Sequence, residues 1–130
     1  MSFNARVQRL STNIQTLFAR AGFPMTLLLM LVITVASLMP KGSAGDPGSA
    51  DKQMHVIAYA LAVLPAAVGA SGPVVGLAAG IVAWGIAIEL IQPLVGRSMN
   101  IADIAANTSG VLAGLLFAFV LRRLLGKWSG

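Results

Sequence analysis

The sequence predicts an all-α integral membrane protein: four transmembrane helices with both termini on the cytoplasmic side, preceded by an N-terminal amphipathic interfacial helix. Three observations predict it. The 130 residues are 57% hydrophobic and only 10% charged, with a mean hydropathy of +0.84, too apolar for a soluble domain and too short for more than one membrane bundle. The apolar residues gather into four runs, each near the roughly 20 residues that cross a hydrocarbon core. Arginine and lysine concentrate towards the two ends of the chain.

Residues 1–21 form the amphipathic segment. Phe3, Val7, Leu10, Ile14, Leu17 and Phe18 recur at helical spacing, with Arg6, Gln8, Arg9, Asn13 and Arg20 between them, so a helix here has one greasy face suited to the inner leaflet. Residues 22–121 form the transmembrane domain and residues 122–130 a basic tail. Span one covers residues 23–39, opened by Pro24 and closed by Pro40; span two covers 54–70, span three 74–95 and span four 101–121. Between them lie a Gly/Ser/Pro-rich linker at 40–50, the turn Ser71-Gly72-Pro73, and residues 96–100, all rich in helix breakers. Pro65 is expected to kink span two, with neighbouring helices absorbing the freed carbonyl. The small residues Gly42, Ser43, Ala44 and Gly45 after an apolar run have the outline of a leader cleavage site, but the run is long and its start amphipathic, which argues against a leader.

Orientation follows from charge. Arg6, Arg9 and Arg20 precede span one, and Arg122, Arg123 and Lys127 follow span four. An even number of spans puts both sets on one side, and the positive-inside rule makes that side cytoplasmic. The net charge of +5 therefore reads as a membrane-orientation signal. It carries no aromatic or surface pattern suited to bases, so nucleic acid is not an expected partner.

Polar chemistry is confined to three stretches: DKQMHVIAY from Asp51, ELIQPLVGRS from Glu89 and NIADIAANTSG from Asn100. They hold three of the four acidic residues and the single histidine, and the span arrangement brings all three to the outer face. Asp51, His55 and Tyr59 are four apart, on one face of span two. Glu89 and Gln92 share a face of span three. Asn100, Asp103, Asn107, Gly110 and Gly114 alternate steps of three and four along span four, a stripe expected to face protein. Glu89 lies six residues before Val95, roughly 9 Å below the outer boundary at about 1.5 Å per residue. An unpaired carboxylate there is costly, so a proton, Arg97, Lys52 or His55 is expected to neutralise it, and His55 and Glu89 are candidates for a coupled pair.

Three readings of this cluster stay open. His55 and Glu89 form a candidate catalytic acid–base pair; His55 with Asp51 and Glu89 has the donor types of a metal site; or the whole set is a structural network stapling spans two, three and four. The network reading is preferred, and no metal or soluble cofactor is expected. Arg97, beside Lys52 and Ser98, offers a planar fork of donors to a phosphate or carboxylate, the alternatives being an ion pair with Glu89 or Asp103, or a side chain that reaches to water. Gly76/Gly80 and Gly110/Gly114 permit close helix contact, within the bundle or in a homodimer. Cysteine is absent, so thiolate chemistry is excluded, and no P-loop, GxSG elbow, paired-histidine zinc motif or lipid-phosphatase signature occurs.

In order and spacing, DKxxH with a tyrosine four residues on, then ExxQ, GRS and DxxANTxG before a small-residue helix, resemble the VanZ-like membrane proteins, over about residues 41–121. The matching positions are Asp51, Lys52, His55, Tyr59, Glu89, Gln92, Arg97, Ser98, Asp103, Asn107 and Gly110. Asn100 stands where many relatives have an acidic residue or serine, and Ser109 where an apolar residue is usual. The resemblance implies a multi-pass protein of the bacterial cytoplasmic (inner) membrane linked to the cell envelope, in a family named for a teicoplanin-resistance factor and without a general reaction. From the residues themselves, the expected partner is membrane lipid: the outward pocket of His55, Glu89, Arg97 and Asp103 is expected to bind or modify an anionic lipid or cell-wall precursor headgroup such as a polyprenyl phosphate, with Asp51, Lys52, Tyr59, Gln92, Ser98 and Asn107 as further binding residues. The alternative is a non-catalytic scaffold. A small exporter is a weaker third reading, because span one carries no acid.

Overall fold

The structure is a computed structural model describing residues 2–40 and 48–129, with side-chain surroundings for 2–40 and 51–126. It is all helical among these residues: α1 (Phe3–Leu38), α2 (Gly48–Gly69), α3 (Val75–Ile91), a 3-10 turn (Gln92–Val95) and α4 (Ile101–Ser129). Four segments are long and apolar enough to cross a membrane. Most of the expected linker, including Gly42 to Gly45, lies outside the described residues.

The main difference from the sequence reading is at the start. The amphipathic segment and span one are one uninterrupted helix of 36 residues, about 54 Å at the α-helical rise and far longer than the ~30 Å hydrocarbon core. Pro24 sits inside that helix. The first half of α1 has its own tertiary partners. Ser11 Oγ donates to the Leu125 carbonyl at 2.8 Å, and Gly69 lies against the Phe18 backbone so closely that a Cβ would overlap it. The N-terminal half of α1 and the C-terminal end of α4 therefore run beside each other, at the end of the bundle opposite the polar stretches.

Packing centres on α2, whose chief neighbours are α4 and α1. Tyr59, Ala62, Val63 and Ala67 of α2 join Met30, Ile81, Val111 and Ala118 in the core. Small residues make the close approaches possible: Gly22 of α1 lies against the Pro65 carbonyl, and Gly110 and Gly114 of α4 against the Val56 and Ala60 carbonyls. Gly76 and Gly80 of α3 touch nothing that a Cβ would meet within 4 Å. They line an apolar groove of about 430 Å³ between α1 and α3. Of the two small-residue pairs, only Gly110/Gly114 is used within the bundle.

The carbonyl freed by Pro65 is that of Leu61, and α1 bridges the neighbouring pair, Ala62 and Ala66. The Thr26 hydroxyl donates to the Ala62 carbonyl at 2.7 Å and accepts from the Ala66 N–H at 3.1 Å, bridging the turn around the proline. Neighbouring Ser and Thr side chains re-satisfy backbone groups in this way when proline interrupts a membrane helix. Trp84 Nε1 of α3 likewise donates to Thr34 Oγ1 of α1 at 2.9 Å.

Span three ends in two steps. α3 stops at Ile91, and the 3-10 turn runs to Gly96, whose φ of 77° is left-handed and whose N–H caps the Gln92 and Pro93 carbonyls. Glycine adopts that backbone without a Cβ penalty. The reversal aims residues 97–100 back over the bundle end and starts α4 beside the polar end of α2.

Candidate functional site

Asp51 and His55 stand one turn apart on α2, and α4 brings Asp103 and Asn107 opposite them. His55 is the hub. Its Nδ1 lies 2.9 Å from Asn107 Oδ1, while its Nε2 faces Asp51 Oδ2 and Asp103 Oδ2, each at 4.0 Å. With the amide oxygen as acceptor, Nδ1 carries the proton and Nε2 presents its lone pair, or a second proton, to the two carboxylates. A separation of 4.0 Å is an ion-pair distance, too long for a hydrogen bond. Asp103 is 7% exposed and Asn107 3%.

Glu89 sits below this cluster and is fully buried. Its Oε2 accepts the Asn100 N–H at 3.2 Å, and its Oε1 has no hydrogen-bond partner. Asn100 is the N-cap of α4: its side-chain oxygen accepts the Ala102 N–H at 2.9 Å, and its carbonyl accepts from Asp103 and Ile104. The Glu89 carboxylate thus faces the positive end of α4, and the histidine finds its partners in Asn107 and the aspartates. Neither Arg97 nor Lys52 forms an ion pair with Glu89 among the described residues.

The remaining expected residues separate by burial. Tyr59 is 1% exposed, with its ring packed where a Cβ on Gly85 would come within 3.0 Å of it. Gln92 is buried and donates from Nε2 to the Ser37 carbonyl at 3.3 Å, tying the end of span three to α1. Lys52 and Ser98 are exposed. Arg97 is half-buried, makes no ion pair among the described residues, and lines a pocket of about 200 Å³ with Asp51, His55, Tyr59 and the apolar side chains Ile33, Ala36, Met54 and Ala58. Lys52, Ser98 and Glu89 are not among its lining residues.

Sequence reasoning missed Ser37, Thr26 and the capping role of Asn100. Asn100 carried a signal, because asparagine directly before an apolar run is a strong N-cap residue. Ser37 and Thr26 act through contacts with distant residues and carried none. No family model, curated protein or solved structure matches the chain.

Proposed function

We propose that the chain is a VanZ-like protein of a bacterial inner membrane that holds an anionic lipid or polyprenyl-phosphate headgroup at its extracytoplasmic face. One observation carries this reading: Arg97, without an ion-pair partner among the described residues, shares a pocket with Asp51 and His55 on one side and apolar residues of α1 and α2 on the other. An arginine fork beside a greasy wall suits an amphiphile with a phosphate head. The pocket, about 200 Å³, is below the ~300–1,000 Å³ of drug-sized ligand sites, so it accommodates a headgroup fragment while the acyl chain stays in the bilayer. Resemblance to the VanZ-like family adds the envelope setting and the link to teicoplanin resistance. Arg97→Gln should leave a folded protein that loses its co-purified phosphate-bearing lipid in native mass spectrometry. Equal retention by the variant rejects the reading.

A second reading has its own support. Glu89, Gln92, Tyr59 and Asn107 are buried, and Gln92 and Asn107 bridge helices. In a non-catalytic scaffold these contacts hold the bundle and the outward segments bind an envelope partner. No lipid on the wild-type protein favours this reading.

Exposed Arg6, Arg9, Arg20, Arg122 and Arg123 support the orientation, since both sets lie at the bundle end away from His55. The chain has no cysteine, so single cysteines report topology directly. Ser98→Cys should react with an impermeant maleimide on intact cells, and Ser71→Cys only after permeabilisation. The reverse pattern inverts the proposed orientation.

A further inference from the structure

We propose that Asp51, His55 and Asp103 form a binding site for a divalent transition-metal cation, with Asn107 holding the imidazole from behind. One ligand atom from each of the three residues lies within 4.8 Å of the others. The two His55–Asp separations are both 4.0 Å, so small side-chain movements would bring the three atoms to the ~2.0–2.2 Å bond lengths usual for Zn2+ held by carboxylate and imidazole.

Two further observations point to a ligand. Asp103 is 7% exposed, and its carboxylate makes no hydrogen bond among the described residues. It aims at His55 Nε2 from 4.0 Å. Its oxygens keep some contact with water, since Glu89 Oε1 is the buried side-chain atom without a hydrogen-bond partner among the described residues, and a little-exposed carboxylate that is still reachable can take up a cation. Asn107 meanwhile engages Nδ1 at 2.9 Å, the outer-shell contact that fixes tautomer and ring orientation in histidine metal sites and leaves Nε2 to coordinate. One nitrogen and two oxygens suit Mn2+ or Zn2+ better than Cu+, which prefers sulfur. The sequence reading considered Glu89 as the third donor; the fold supplies Asp103.

Metal binding here does not depend on the lipid reading, although it bears on it. Asp51 lines the pocket of the proposed headgroup and Asp103 stands 4.0 Å from His55 beside it, so both carboxylates oppose a phosphate. A bound cation balances them and leaves the charge of Arg97 facing the phosphate. That consequence rests on the proposed function.

The test uses the full chain in detergent, stripped with a chelator and titrated with Mn2+, followed by electron paramagnetic resonance and competition with Zn2+. One Mn2+ per chain is expected, displaced by Zn2+. Because His55 is the only histidine, the bound Mn2+ should show imidazole nitrogen coupling. His55→Gln should abolish that coupling, Asp103→Asn should weaken binding tenfold or more, and Asn107→Ala should weaken it about 10-fold or more while keeping the nitrogen signal. Folded wild-type protein that binds neither ion, or binds Mn2+ without nitrogen coupling, overturns the site. If a variant does not fold, the wild-type nitrogen signal decides. Phosphate-lipid retention measured with and without Mn2+ separates the two proposals: a metal-bound protein indifferent to lipid keeps the cation site and refutes the headgroup reading.

Discussion

Gly110→Leu should cause the largest loss of folded protein, whereas Gly80→Leu should be tolerated. The two substitutions add the same side chain to a membrane helix, so they alter insertion propensity alike. Their surroundings differ. A Cβ at Gly110 would overlap the Val56 carbonyl and come within 3.0 Å of Tyr59 Cβ, while at Gly80 nothing lies within 4 Å. Overpacking a core typically costs about 1–3 kcal/mol where side chains can shift. Here the obstacle is backbone of α2, so α2 and α4 must separate, carrying Tyr59 and His55 away from Asn107. Thermal unfolding with size-exclusion readout in detergent measures the effect. Equal behaviour of the two variants contradicts the close α2–α4 seam.

Glu89→Ala should destabilise by about 2–4 kcal/mol, and Glu89→Gln by less than about 1 kcal/mol. Alanine leaves the partly buried Asn100 N–H without its acceptor and opens a cavity beneath the start of α4; both terms are costly. Glutamine keeps the shape and can present a carbonyl oxygen to the same N–H. Melting temperatures of the two variants separate the cases. If glutamine is as damaging as alanine, the negative charge itself holds the start of α4, and the hydrogen bond to Asn100 is not the main term.

Much of this fold was legible because a membrane simplifies the problem. Backbone groups must be satisfied within each segment, so four apolar runs separated by breakers read directly as four helices. The polar stretches at 51–59, 89–98 and 100–110 were legible for the same reason, since ionisable residues in apolar sequence are rare and must converge. The boundary at residues 21–22 was not. Amphipathic periodicity describes a helix with one greasy face but does not say what covers it, and contacts such as Ser11 with Leu125 and Phe18 with Gly69 lie far apart in sequence.

The sequence by itself determined the class, the number and order of the apolar spans, and the residue types available to the polar end, because hydropathy and helical period are local properties. Only the tertiary structure decided which of those residues meet. Asp51 and His55 share a helix face from sequence alone, but their rotation against α4 selects Asp103 and Asn107 as partners and sends Glu89 to the Asn100 N–H. That selection depends on where Gly110 and Gly114 let α4 approach α2. Angstrom-scale packing between segments some fifty residues apart is a property of the assembled bundle and has no local sequence signature.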